Sequence, residues 1–300
     1  MRTALLSALT VVAASALSFA CVAEPVGTLR RSPTGADPAD PDPGDVAATS
    51  PDGGAPKGPG SDGGAGRSDS GGPATSTGTK GTGGPTGDNE LTSASGLRYQ
   101  INAPAPGAAP RGLLVLLHGS TASNYTRFVS MMANVAAQYD LIRVSVLAPN
   151  GQGWNEGGQQ AQSQAADKLH ALIQQDLFPK YDIDTTKILF SGQSSGGGFL
   201  SSHFVPLHAK DYRGGAFFQC GAAPPAVTFA PDAQTKSAFK LHFEITSGDP
   251  IWPDSYARAV TAYTQAGMTL TKDNTKSGGH CAFDQQAVIV AHIKDVLGLP

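Results

Sequence analysis

The sequence predicts an α/β fold, a mostly parallel sheet with helices on both faces. Three observations lead there. From Ser93 onward, short apolar runs alternate with stretches of helical periodicity. One run, Leu113-Leu114-Val115-Leu116-Leu117, is apolar at every position, as a strand covered on both faces must be. Finally, Gly192-Gln193-Ser194-Ser195-Gly196 lies between a short apolar run and a helix start, so a serine falls on a sharp strand-to-helix turn.

The elements follow in order. Strands are expected at Leu97 to Ala103 and Gly112 to Leu117. Tyr125 to Tyr139 should be a helix, because Phe128, Met131, Met132 and Val135 recur at helical spacing. Leu141 to Ala148 reads as a third strand, stopped by Pro149-Asn150-Gly151, and Ala165 to Leu177 as a second helix. Lys187 to Ser191 is the strand before the serine turn, and Phe199-Leu200 marks the helix after it. Strands at Ala216 to Cys220 and Leu241 to Thr246 come next. A helix at Ser255 to Ala266, a strand near Met268 to Thr271 and a helix from Gln285 to Leu297 end the chain. Ligands of such sheets bind beyond the carboxyl ends of the strands, where Ser194 falls.

Composition divides the 300 residues unevenly. The first third holds 18 of the 37 glycines and 10 of the 22 prolines, more than its share, and no aromatic residue lies between Phe19 and Tyr99. Such a segment cannot bury enough apolar surface to offset its ordering entropy, so residues 24–90 are expected to be a disordered tether. Residues 91–300, about 210 of them, suffice for one catalytic domain. A net charge of −3 leaves no basic footprint for nucleic acid.

Residues 1–23 read as an export signal, with Arg2 before an apolar run from Ala4 to Ala20. Two processing routes are open: lipidation of Cys21, which would attach the protein to a membrane, or ordinary cleavage after Ala20 or Ala23. Both place the mature protein outside the cytoplasm. There the remaining pair, Cys220 and Cys281, is expected to form a disulfide, against two separate buried thiols. No C-x-x-C or H-x-x-x-H spacing points to zinc, and neither a metal nor a cofactor is expected.

The spacing of glycines around Ser194 has a physical reason. The turn brings strand and helix so close that side chains two residues either side would collide. An isolated serine hydroxyl is a poor nucleophile and needs a base oriented by a third group. In this architecture the chain order is serine, acid, histidine. His280 and His292 follow a plausible acid. His292 lies inside the last helix, whereas His280 follows the flexible Ser277-Gly278-Gly279, so His280 is the expected base. Asp249 lies just past the strand ending at Thr246 and is the expected acid. Glu244 would be held too deep, and Asp254 is placed to cap the next helix. The oxyanion needs two donors. Ser195 N–H is one by position, and Ser120 N–H, with Thr121 as runner-up, is the other.

Several stretches together resemble α/β-hydrolase esterases of the polyhydroxybutyrate depolymerase and feruloyl or acetylxylan esterase type. They are Leu116-Leu117-His118-Gly119, Pro149-Asn150-Gly151 with Trp154-Asn155-Glu156-Gly157, Asp182 to Ile188 running into the serine turn, Ser247 to Pro253, and Gly278-Gly279-His280. Thr246 stands where the resemblance would place glycine, and Trp252 where a small aliphatic residue is common. The resemblance implies an α/β-hydrolase fold and esterase activity; with the Ser194, His280 and Asp249 roles it gives the expectation of ester cleavage through an acyl-enzyme, on a small-molecule or polymer ester, and the chain is expected to be a monomer. Trp154 and Trp252 are candidates for the pocket wall, with packing under the loop as the alternative for Trp252. Two other readings are a peptidase of the same fold and a non-catalytic surface lipoprotein using the scaffold for binding.

Overall fold

In the computed structural model, which describes residues 77–299, eight strands form one sheet in the order β1-β2-β4-β3-β5-β6-β7-β8. They are β1 Gly87–Thr92, β2 Arg98–Ala103, β3 Arg111–Leu117, β4 Leu141–Val146, β5 Ile183–Gln193, β6 Gly214–Gln219, β7 Phe239–Glu244 and β8 Leu270–Asp273. The pairs β1–β2 and β2–β4 are antiparallel, and every other pair is parallel. A parallel sheet covered on both faces needs strands apolar on both sides, and β3 meets that need. Leu113, Val115 and Leu117 enter one core with Tyr99, Phe190, Phe218 and Phe243. Leu114 and Leu116 enter the other with Phe128, Met132, Ile289 and Ile293.

The helices that position the site are α1 Phe128–Met131, α2 Ala133–Tyr139, α3 Gly158–Ala171, α4 Ser195–Phe199, α5 Ala233–Ala238, α6 Pro253–Gln265 and α7 Gln285–Leu297. The expected helix over Tyr125 to Tyr139 is two short ones, because Met132 leaves helical geometry at φ −93° and ψ 15°. The expected helix at Ala165 starts earlier, at Gly158, and widens into π-type turns over Leu172–Leu177. The strand before the serine turn is also longer than its apolar run, reaching back to Ile183.

The boundary at residue 90 needs correcting. Residues 77–90 belong to the folded unit, while residues 1–76, with the export signal, Cys21 and most of the expected tether, lie outside the described residues. The segment has a partner for its backbone: Thr79 N–H donates to Ile183 O (3.0 Å), Thr82 N–H to Pro179 O (2.9 Å) and Gly83 N–H to Lys180 O (2.9 Å). Its glycines let it lie on Tyr181, since side chains at Gly81 and Gly84 would collide with that residue's backbone and ring. Tyr181 Oη donates to Pro85 O at 3.1 Å. Low hydrophobicity signalled disorder, but backbone pairing and one aromatic platform substitute for an apolar core here.

Candidate active site

β5 ends at Gln193 and α4 begins at Ser195, so Ser194 alone makes the turn. Its φ of 50° and ψ of −114° cost a side-chain-bearing residue about 1–3 kcal/mol, so neighbouring bonds must hold it. Ser194 N–H donates to Gln219 O (2.8 Å), and Gly198 N–H donates to Ser194 O (2.9 Å). The close crossing is real. A Cβ on Gly192 would sit 2.5 Å from the Gly196 carbonyl, and one on Gly196 would sit 2.5 Å from Leu117 O.

Ser194, His280 and Asp249 come from the ends of β5, β8 and β7 and meet in one hydrogen-bonded chain. His280 Nδ1–H donates to Asp249 Oδ2 at 2.7 Å, and His280 Nε2 accepts from Ser194 Oγ at 2.8 Å. The carboxylate has no proton to give, which assigns the tautomer. Asp249 is buried, and its other oxygen accepts the backbone N–H groups of Ile251 (2.8 Å) and Trp252 (3.1 Å). Both its oxygens are therefore fixed, and the imidazole inherits that orientation.

The rejected alternatives are committed elsewhere. Glu244 is fully buried, with Oε2 bonded to His242 Nε2 (3.1 Å) and Oε1 to Lys276 Nζ (2.8 Å). His292 stacks on His242 at 3.9 Å between ring centroids. Asp254 does not cap the helix as expected: it is the second residue of α6, whose N-cap is Trp252 with no side-chain capping bond.

After β3 the chain turns back towards the serine, and a Cβ on Gly119 would lie 3.5 Å from Ser194 Cβ. The fully buried His118 shapes this loop: its Nδ1–H donates to Gly119 O (2.6 Å) and its Nε2 accepts from Ala148 N–H (3.0 Å). Those partners require the neutral ring, and burial pushes the imidazole below its usual pKa. In a trans peptide the C=O and N–H point opposite ways, so drawing Gly119 O onto His118 turns Ser120 N–H away from it. Two further bonds tie the loop, Ala122 N–H to Gln152 O (2.8 Å) and Asn124 Nδ2 to Gln193 Oε1 (2.9 Å). Ser195 N–H lies in the first turn of α4, where backbone donors have no acceptor within the helix.

Of the two candidate tryptophans, Trp154 is core and Trp252 keeps part of its surface exposed beside α4. Trp154 is 1% exposed, its ring 4.9 Å from Phe199 and 5.9 Å from His118, so it is core beneath the loop that follows β3. Trp252 is partly buried against the core, its ring lying over Gly198, where a Cβ would be 2.6 Å from the indole. The absence of a side chain at Gly198 makes room for that indole.

Cys220 and Cys281 are bridged, with Cα atoms 5.1 Å apart. Cys220 follows β6, and its N–H donates to Glu244 O (2.8 Å); Cys281 Sγ lies 3.6 Å from His280 Nε2. The bridge thus joins the sheet to the residue beside His280. Two sulfurs bonded to one another are not metal ligands, so their proximity to His280 makes no metal site. The other imidazole clusters, His242 with His292 and His170 with His208, are stacked rings.

No protein-family model matches the sequence, and no curated protein matches it. Among solved structures, a carboxylesterase from Mesorhizobium loti is similar with a TM-score of 0.54 at 18% identity, over 68% of this chain and 96% of that one. An arylesterase gives 0.51 at 14% identity, over 73% and 87% of the two chains. MGS-M1, an alpha/beta hydrolase enzyme from a Medee basin deep-sea metagenome library, gives 0.53 at 14%, over 72% and 100%. The parallel sheet, the serine turn after β5 and these likenesses agree: the chain has the α/β-hydrolase fold.

Proposed function

We propose that this protein is an exported serine hydrolase that cleaves carboxylic esters through an acyl-enzyme. The observation that carries the reading is the chain Asp249–His280–Ser194 ending on a strained turn, with bonds of 2.7 and 2.8 Å. Ser194 Oγ gives its proton to His280 Nε2 as it attacks the ester carbonyl, and Asp249 stabilises the imidazolium. The Ser195 and Ser120 N–H groups hold the oxyanion. His280 returns the proton to the leaving alcohol, and water then attacks the acyl-enzyme with His280 again as base.

The esterase names of the similar structures support an ester as substrate, and the buried bridge at Cys220 fits an oxidising compartment. In this reading the chain acts as a monomer, either anchored through lipidated Cys21 or released after cleavage. Mass spectrometry of the mature N-terminus separates those two. The activity is tested with p-nitrophenyl esters of increasing acyl length and the Ser194→Ala variant. Turnover is expected to drop by about 10⁴-fold or more in the variant. Unchanged turnover would refute the assignment.

A further inference from the structure

We propose that Thr246 is a positioning residue for the His280 imidazole, acting through the peptide that carries it. The proposal rests on the hydrolase reading of the site. Thr246 is the second residue past β7 and is 2% exposed. Its Oγ1–H donates to Gly279 O at 2.9 Å. That carbonyl belongs to the peptide unit joining Gly279 to His280, so the bond sets the plane from which the imidazole projects.

The loop needs such a tie. Gly278 and Gly279 are consecutive glycines, the residues with the most backbone freedom to lose. A side chain at Gly279 would touch nothing, so packing does not hold the peptide there. The loop's firm attachments lie to either side: Lys276 O accepts from Ser247 N–H (2.8 Å), and Cys281 is bridged to Cys220. Between them, Gly279 O receives Thr246 Oγ1 and the nearby Ala282 N–H (3.2 Å). The second is a longer, local bond within the loop's own segment, whereas Thr246 reaches the carbonyl from the end of β7.

The consecutive residues Thr246, Ser247 and Gly248 meet Gly279, Lys276 and Gly278. A Cβ on Gly248 would be 2.7 Å from Gly278 O. Asp249 is the next residue in that row. One short segment therefore carries the acid and also registers the loop that carries the base. Without the hydroxyl, Gly279 O keeps only the longer bond from Ala282 N–H (3.2 Å), the peptide loses its tie to the segment that carries Asp249, and Nε2 shifts from the line to Ser194 Oγ. Misplacement by 1 Å is enough for about a hundredfold loss in a reaction of this kind.

The test compares Thr246→Val, which keeps the shape and removes the hydroxyl, with Thr246→Ser, which keeps the hydroxyl. On a p-nitrophenyl ester, kcat of the valine variant should fall by about tenfold to a hundredfold with KM within about twofold. Serine should restore most of kcat. The second readout needs no turnover: the hydrogen-bonded Nδ1 proton of His280, observed by NMR in the wild-type protein, should exchange faster in Thr246→Val and recover in Thr246→Ser. A valine variant matching wild type in kcat and in that proton's exchange overturns the proposal. So does a loss that serine fails to rescue. If valine does not fold, Thr246→Ala replaces it under the same criteria. If wild type cleaves no ester, the hydrolase reading fails, and the NMR comparison alone decides the role of Thr246.

Discussion

Replacing Cys220 and Cys281 together by alanine should cost both stability and catalysis, for two different reasons. The bridge closes a loop with a sequence separation of 61. In the chain-entropy model a loop of that length removes about 14 cal/mol/K from the unfolded state, or about 4 kcal/mol at 25 °C. For a domain of this size, with a Tm shift of about 2–4 °C per kcal/mol, the variant should melt about 8–16 °C lower. Alanine is the right replacement. Cys220 is fully buried at φ 48° and Cys281 sits at φ 57°, so alanine preserves both backbone demands and buries no new polar atom. Catalysis should suffer separately, because Cys281 adjoins His280 and anchors the end of its loop. Urea unfolding gives the first quantity, and kcat on an ester below the variant's melting range gives the second. A stability loss under about 1 kcal/mol would refute the chain-constraint argument. An unchanged kcat beside the full stability loss would refute the bracing of His280.

Two other outcomes can be checked by the same thermal melts. A chain beginning at Gly87, which keeps β1 whole, should be less stable than one beginning at Thr77 by about 2 kcal/mol, the cost of re-exposing an aromatic ring, because the lost segment covers Tyr181; equal melting temperatures would show that segment to be passive. The second concerns acid. Hydrogen bonding from Lys276 Nζ (2.6 Å) holds the Asp273 carboxyl well below the usual range. Since its folded pKa is depressed, its stabilisation is complete above the unfolded value near about 4 and is lost as pH falls below it. Asp273→Asn should therefore be less stable at neutral pH and show a flatter decline below about pH 4. An identical decline in both proteins would show that the Asp273–Lys276 pair contributes nothing to acid sensitivity.

The parts of the fold legible in the sequence are those whose demands are local. A strand buried on both faces must be apolar throughout, and Leu113 to Leu117 announces this without reference to any partner. The serine turn needs missing side chains at Gly192 and Gly196, and those glycines are visible at fixed offsets. Ser194 and Asp249 were readable because each follows a recognisable strand, and His280 because it comes after both, behind the flexible Ser277-Gly278-Gly279. The boundary of the folded unit was not readable. Residues 77–90 have the composition of a tether, yet their glycines are there to approach Tyr181, about a hundred residues further along the chain.

The roles of His118, Trp154 and Thr246 were hidden for a related reason. Each depends on a partner in another loop: Ala148 for His118, Phe199 for Trp154 and Gly279 for Thr246. Trp154, in one of the stretches that carry the esterase resemblance, was expected at a pocket wall. Yet the glycines around it allow the chain to fold the indole inward beneath His118, so a flexible surround is compatible with either outcome. Thr246 is the converse case. A threonine near a strand end suggests no chemistry, but the burial that denies it solvent leaves its hydroxyl one good acceptor, the carbonyl beside His280. In both cases the sequence specifies what a residue can do, and the meeting of separate loops selects which of those things it does. The residues that support such a site are thus harder to read than those that react, because a reacting group is constrained by chemistry and a supporting one only by its neighbours.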